Sequence, residues 1–286
     1  MKWIRLLCMV LVCVMFSAFS LAETTISGAT ESTEELSLFA INVRKADALL
    51  LRSGTSAYLI DTGSEESADA LLNTLRSEGV TRLTGVILTH THKDHVGGLS
   101  ALLNSEIDIG QVYASAFYNK KKESKHPAVK ALKGTGTEVS FLSSGDTLPL
   151  DGGTLSVLGP LEKDEEAENN NSLVLLAEGG GGTMLLTGDM EFPEEDSLLK
   201  AGLIPAVDVL KIGNHGEDDA TSPALISAAH PSLAVISTNS DDEPDTPSPR
   251  VIRLLASWNI PVLLTQDSQS GVLVKLRNGE ISTALK

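Results

Sequence analysis

The sequence predicts one α/β domain in which two β-rich stretches each give way to alternating strands and helices. That arrangement calls for two facing sheets with helices outside them. Three observations carry the prediction. Leucine-rich and β-branched runs of strand length cluster at 38–60 and again at 138–158. After each cluster, apolar runs alternate with segments of helical spacing. The chain has 286 residues, 42% of them hydrophobic, which is enough for the core of a single full-sized domain.

The chain opens on a targeting segment. Lys2 and Arg5 precede an apolar run from Leu6 to Leu21, and Ser20-Leu21-Ala22 offers a small-x-small cleavage site before Glu23. This is the layout of a secretory signal peptide over residues 1–22. The run is slightly short of a bilayer span of ~20 residues, so an uncleaved anchor is the alternative. No lipobox-like pattern precedes a cysteine, which disfavours a lipoprotein. Cys8 and Cys13 both lie inside the segment, so the remaining chain has neither a disulfide nor a Cys-ligated metal. The formal charge of −16 becomes more negative without it, because the segment carries Lys2 and Arg5 and no acid. Residues 23–36, mostly Glu, Thr, Ser, Gly and Ala, read as a flexible leader, leaving 37–286 as the folded domain.

Strands are expected at 38–43, 46–51 and 57–60, with Asp61-Thr62-Gly63 as a turn. Residues 67–78 place Ala68, Leu71, Leu72 and Leu75 at helical spacing, and Gly79 is a natural stop. A strand at 83–89 feeds a polar loop and a helix at 96–103, followed by a strand at 111–114. A basic segment comes next, with Lys120, Lys121, Lys122, Lys125, Lys130 and Lys133. Charge runs are usually solvated faces, and that reading is preferred here to an anion-guiding patch. The second half has strands at 138–142, 147–150 and 154–158, then a hairpin of 172–177 and 183–187 across an all-glycine turn. Strands at 207–212, 233–237 and 262–265 alternate with helices at 193–200, 223–229 and 249–257. A closing pair, 271–276 and 281–284, flanks Asn278-Gly279, a strong hairpin signal.

Chemistry concentrates in Thr89-His90-Thr91-His92-Lys93-Asp94-His95, which follows the apolar run Val86-Ile87-Leu88. Three of the six histidines fall within these seven residues. On extended backbone His90 and His92 point to the same side, while Asp94 and His95 follow the turn and approach from another direction. Imidazole plus carboxylate suits Zn²⁺ and its neighbours. A polar loop that is His-rich by accident is the bland alternative, and the packing of ligand types argues against it. His126 and His230 have no such context and read as surface residues.

The heptad resembles the H-x-H-x-D-H signature of the metallo-β-lactamase superfamily. Further stretches fit: Tyr58-Leu59-Ile60-Asp61-Thr62-Gly63, Leu185-Leu186-Thr187-Gly188-Asp189 and Leu210-Lys211-Ile212-Gly213-Asn214-His215-Gly216. Asn169-Asn170-Asn171-Ser172-Leu173-Val174-Leu175 and Thr246-Pro247-Ser248-Pro249 look most like the branch of ComEC-type competence DNA-uptake proteins. The resemblance implies an αβ/βα four-layer sandwich with a site for two divalent ions, Zn²⁺ or Mn²⁺, along one edge of the sheets. It assigns His90 and His92 to one ion, Asp94, His95 and His215 to the other, and Asp189 between them. Asp94 and Asp189 are then the carboxylates of the reacting centre, and Asp61 orients a ligand histidine.

Three departures from the pattern matter. No histidine lies just before Ser172, where many hydrolases of the superfamily have a third ligand for the first metal. Asn169, Asn170 or Glu168 is left to supply an oxygen, and an oxygen-richer site shifts preference toward Mn²⁺. Asn214 replaces the first histidine of the branch's His-His pair. Thr246 replaces a histidine that would contact substrate or leaving oxygen.

Glu217, Asp218, Asp219 and the acids at 241–245 suggest a negative rim, which opposes nucleic-acid binding. The expectation is therefore an exported hydrolase of a small phosphodiester or related ester, with no stable membrane association after cleavage. A ComEC-like extracellular nuclease and a non-catalytic metal-binding domain are the alternatives. A class B β-lactamase is disfavoured by the missing third histidine and cysteine.

Overall fold

The computed structural model describes residues 35–286. The expected signal peptide and nearly all of the expected leader lie outside the described residues. The first strand, β1 (Leu36–Ile41), begins inside the stretch expected as leader and continues to β2 (Leu49–Ser53) and β3 (Ser56–Ile60) as an antiparallel meander. Then follow α1 (Ala68–Ser77), β4 (Arg82–Leu83), β5 (Gly85–Leu88), α2 (Lys93–Val96), α3 (Leu99–Leu103), β6 (Asp108–Ile109) and β7 (Val112–Ser115). Next are α4 (Pro127–Ala131), β8 (Val139–Leu142), β9 (Thr147–Leu150), β10 (Gly153–Gly159), β11 (Val174–Gly179) and β12 (Gly182–Leu186). The remaining elements are α5 (Phe192–Lys200), β13 (Val209–Lys211), α6 (Pro223–Ala229), β14 (Leu233–Ile236), α7 (Pro249–Ser257), β15 (Val262–Leu264), β16 (Gly271–Arg277) and β17 (Glu280–Leu285).

One sheet runs β17-β16-β1-β2-β3-β5-β7-β8 and the other β15-β14-β13-β12-β11-β10-β9. The closing hairpin thus returns to the N-terminal sheet, beside β1. Its turn uses Asn278 and Gly279 at φ 53° and 76°, the left-handed pair that suits a two-residue hairpin.

Strand alternation explains the layers. Leu38 and Ala40 face inward with Leu155, Leu175, Met184 and Val209 of the opposite sheet, forming the core between the sheets. Phe39 and Ile41 face outward under Leu71 and Leu75 of α1 and Leu99 of α3. Leu185, Leu210 and Ala234 lie under Leu198 of α5, Leu225 of α6 and Leu255 of α7. With both faces covered, β1 is buried at every position. The result is the α/β four-layer sandwich, helices–sheet–sheet–helices.

In three places the chain breaks where an unbroken strand or helix is expected. Residues 46–48 are buried but not in β2, because Asp47 N–H donates to the Asp94 carbonyl and its own carbonyl accepts from Gly63 N–H. The strand expected at 83–89 splits, since β4 pairs with β6 as a separate two-stranded ribbon. Gly97 and Gly98 separate α2 from α3. A Cβ on Gly98 would lie 2.2 Å from the Thr62 carbonyl oxygen, and one on Gly97 2.4 Å from Glu65 N. These glycines let the turn after β3 press against the histidine loop.

The placement of the site follows. β3, β5 and β7 run parallel, as do β12, β13, β14 and β15. In α/β sheets ligands gather at the carboxyl ends of parallel strands. Here those ends carry Asp61, the histidine loop, Asp189 and His215.

Candidate metal centre

Each strand end delivers its side chain through an irregular turn. Asp61, Asn214 and His215 have positive φ (60°, 45° and 52°), conformations that non-glycine residues occupy mainly where the surroundings enforce them. His92 occupies the residue just before α2, so His90 lies before the helix and Asp94 and His95 within its first turn.

The buried histidines share one device: Nδ1 is held by a neighbour, leaving Nε2 to face the cluster. His95 Nδ1–H donates to Asp61 Oδ2 at 2.7 Å, and His215 Nδ1–H donates to the Ser237 carbonyl at 3.0 Å. His90 Nδ1 sits 3.1 Å from Thr89 Oγ1 and 3.2 Å from Ser172 Oγ. Around Asp189 Oδ2 lie the Nε2 atoms of His95 at 3.0 Å, His215 at 3.6 Å and His90 at 3.7 Å. Asp94 Oδ2 lies 3.4 Å from His215 Nε2. Ring centroids of His90 and His92 are 4.7 Å apart. Three groups of possible ligands result: Asp94, His95, Asp189 and His215; His90, His92 and Asp189; and Asp47, Asp61 and His95. The first two share Asp189. Within each group the donor atoms lie within 4.8 Å of one another.

These residues fit a divalent cation. His90 Nε2, His215 Nε2 and Asp189 Oδ1 are buried yet have no hydrogen-bond partner in the protein. Unpaired buried polar atoms converging on one point are costly unless something binds them. The electrostatics agree. Burial opposes charge on His95 and His215, but the carboxylates beside them prevail: Asp189 and Asp61 hold His95 well above the ordinary histidine range, and Asp189 pushes His215 up to about 10. Burial would raise Asp94 and Asp189. Contact with His215 and His95 instead holds both well below the usual carboxylate range. His90 is held low by burial and by His95. The cluster thus concentrates positive charge between its carboxylates, where a cation would stand.

Asp61 lies beside the His95 ring. It accepts from Thr89 N–H at 2.8 Å and Thr89 Oγ1 at 2.7 Å as well as from His95, so it orients the loop and the ring together. Asn170 and Thr246 are not brought into the cluster. Asn170 donates to Asp164 at 2.9 Å, and its carbonyl oxygen accepts from Glu191 N–H. Thr246 is 2% exposed; its hydroxyl donates to the Glu243 carbonyl and accepts from Thr238. Both are committed to loop structure.

Glu168, a candidate oxygen ligand, does different work. One carboxylate oxygen accepts from both Thr91 N–H and the Thr91 hydroxyl, and the other accepts from Asn119 N–H at 2.6 Å. It clamps the residue between His90 and His92. Ser172, just after the position lacking a histidine, bridges His90 Nδ1 and Asp189 N–H.

His126 is not a surface residue. It is 1% exposed, packed against Tyr118 and Phe141, and its Nδ1 accepts from Ala128 N–H to cap α4. Burial lowers its pKa to about 4. His230, in contrast, is exposed at the left-handed end of α6.

A four-layer sandwich with histidine and aspartate converging at its strand ends defines an α/β protein with side chains that could hold a metal. Residues 41–240 match the family model of the metallo-beta-lactamase superfamily, and the chain belongs to that superfamily. It is homologous to ComEC-type competence proteins. It is 31% identical to ComE operon protein 3 of Bacillus subtilis over 198 residues, covering 69% of this chain and 25% of that one. It is 28% identical to competence protein ComA of Neisseria gonorrhoeae over 221 residues, covering 76% and 29%. The chain therefore spans about a quarter of the length of these relatives. Among solved structures, the metallo-beta-lactamase fold protein YhfI of Bacillus subtilis superposes with a TM-score of 0.52 at 14% identity, covering 85% of this chain and 99% of that one. A CmlA β-hydroxylase variant superposes with a TM-score of 0.56 at 14% identity, covering 85% and 54%. The likeness to these two structures is one of fold.

Proposed function

We propose that this protein is an exported hydrolase that holds two divalent ions, Zn²⁺ or Mn²⁺, and cleaves a phosphodiester or related ester. The observation that carries the reading is the pair of ligand groups joined at Asp189. His90 and His92 would hold one ion, Asp94, His95 and His215 the other, and Asp189 both. Two divalent ions held this way lower the pKa of water and stabilise charge on attacking and leaving oxygens. The protein's own part is to fix the ligands. Asp61 and the Ser237 carbonyl set the rings of His95 and His215, and Glu168 sets the loop between His90 and His92. Asp94, with a side chain 34% exposed, lies at the mouth of the cluster, where a substrate would meet it. The basic start and the Ser20-Leu21-Ala22 site support export, with a mature N-terminus at Glu23.

The acidic rim favours a small ester over a polyanion, though the structure tempers the charge count. Lys45 pairs with Glu217 and Glu243, Arg44 with Asp242 and Arg250 with Asp218. One observation favours the nuclease reading: Lys120, Lys121, Lys122, Lys125, Lys130 and Lys133 form no ion pair among the described residues. That segment follows Asn119, which Glu168 ties to the histidine loop. Turnover of bis-p-nitrophenyl phosphate, single-stranded DNA and double-stranded DNA at physiological salt decides between them. The small diester is expected to be cleaved and DNA to be a poor substrate. Comparable DNA degradation would establish the nuclease, and no turnover of any ester by metal-loaded protein would leave a non-catalytic binding domain.

A further inference from the structure

Lys211 is the one lysine or arginine that is buried among the described residues, at 0% exposure. On β13 it shares the face of Val209, which packs in the core between the two sheets. An aliphatic side chain would suit that position. Lys211 Nζ instead donates to Asp47 Oδ2 at 3.1 Å and to the Ile212 carbonyl at 3.0 Å. Asp47, 1% exposed in the loop between β1 and β2, leaves Oδ1 buried without a partner. A buried ion pair is an inefficient source of stability compared with apolar packing, so its presence needs another account.

Connectivity supplies one. The Asp47 main chain donates to the Asp94 carbonyl at 3.1 Å and accepts from Gly63 N–H at 2.7 Å. It therefore grips both Asp94 and the turn after Asp61. Lys211 ends the strand that runs straight into Gly213-Asn214-His215. The ligand group Asp94, His95, Asp189 and His215 draws two members from each sheet. Lys211–Asp47 is an ion pair that crosses from one sheet to the other behind that group.

We propose that Lys211 and Asp47 form a strut that positions this cross-sheet ligand group. The strut holds the loop carrying Asp94 at a fixed distance from the strand delivering His215. Both are positioning residues and touch neither substrate nor ion. The inference rests on the metal reading above, and the test separates the two.

The test titrates the full chain with Co²⁺ and Zn²⁺, reading affinity, stoichiometry and the visible Co²⁺ spectrum, with circular dichroism as the control for folding. The double variant K211M/D47L removes both charges and leaves neither unpaired. It is expected to fold with an unchanged dichroism spectrum, to bind one metal equivalent about 10–100-fold more weakly, and to show an altered Co²⁺ spectrum. A folded double variant with wild-type affinity and spectrum would overturn the strut. A wild-type chain that binds no metal would overturn the metal reading and the strut with it.

Discussion

Asp189 and Glu194 stand on either side of the start of α5, and both are buried, at 2% and 5% exposure. Burial alone would raise both pKa values. At Asp189, contact with His95 and His215 overcomes burial and holds the carboxylate well below its usual range. Glu194 has a hydrogen bond from Leu161 N–H at 3.0 Å, but burial, with repulsion from Glu162 and Asp164, pushes it up to about 7. Burying a carboxylate does not by itself make a site. Asp189 becomes a ligand candidate because two strand ends, those of β5 and β13, aim three imidazole Nε2 atoms at it.

The largest expected effect is at Asp189. Asp189→Asn keeps the shape but removes the charge shared by both ligand groups. It should weaken metal binding at both by more than the roughly 10–100-fold that follows loss of an outer-shell partner, and abolish hydrolysis. Metal content after dialysis and ester turnover measure this. Retention of both ions would refute the shared role.

The smaller effect is at Glu194, and it concerns stability. In the folded state Glu194 keeps its proton above the pH at which the unfolded chain loses it. Its contribution is therefore most favourable below about pH 4.5 and is lost as pH rises to about 7. Glu194→Gln stays neutral and can still accept from Leu161, so it should match wild type at pH 4. At pH 8 it should be more stable by up to about 3 kcal/mol. Urea unfolding across that range tests the sign, and a variant-to-wild-type difference independent of pH would contradict it.

Much of this was legible in the sequence, for reasons specific to particular residues. The candidates His90, His92, Asp94 and His95 crowd into one heptad, so local spacing marked them. Asp189 and His215 each follow an apolar strand beside glycine, and it was the family resemblance that singled them out. Side chains whose role depends on contacts between distant elements were not legible. Nothing local tells Glu168, Asn170 and Thr246 apart, yet Glu168 clamps Thr91 while the other two hold their own loops. Lys211 reads as one polar residue at a strand end until Asp47, from the other sheet, meets it. His126 reads as exposed because its neighbours are lysines; Tyr118 and Phe141, brought in by the fold, bury it. In the fold itself, the helix after the histidine loop is split because Gly97 and Gly98 serve a contact with Thr62 and Glu65 rather than helix continuity.

Two ligand groups that share Asp189 should hold two ions, and elemental analysis of the protein after metal loading and gel filtration, on wild type and on His92→Ala, measures this directly. The prediction is about two equivalents of Zn²⁺ or Mn²⁺ in wild type, falling to about one in His92→Ala with the fold intact. No transition metal in wild type under any loading condition would contradict it.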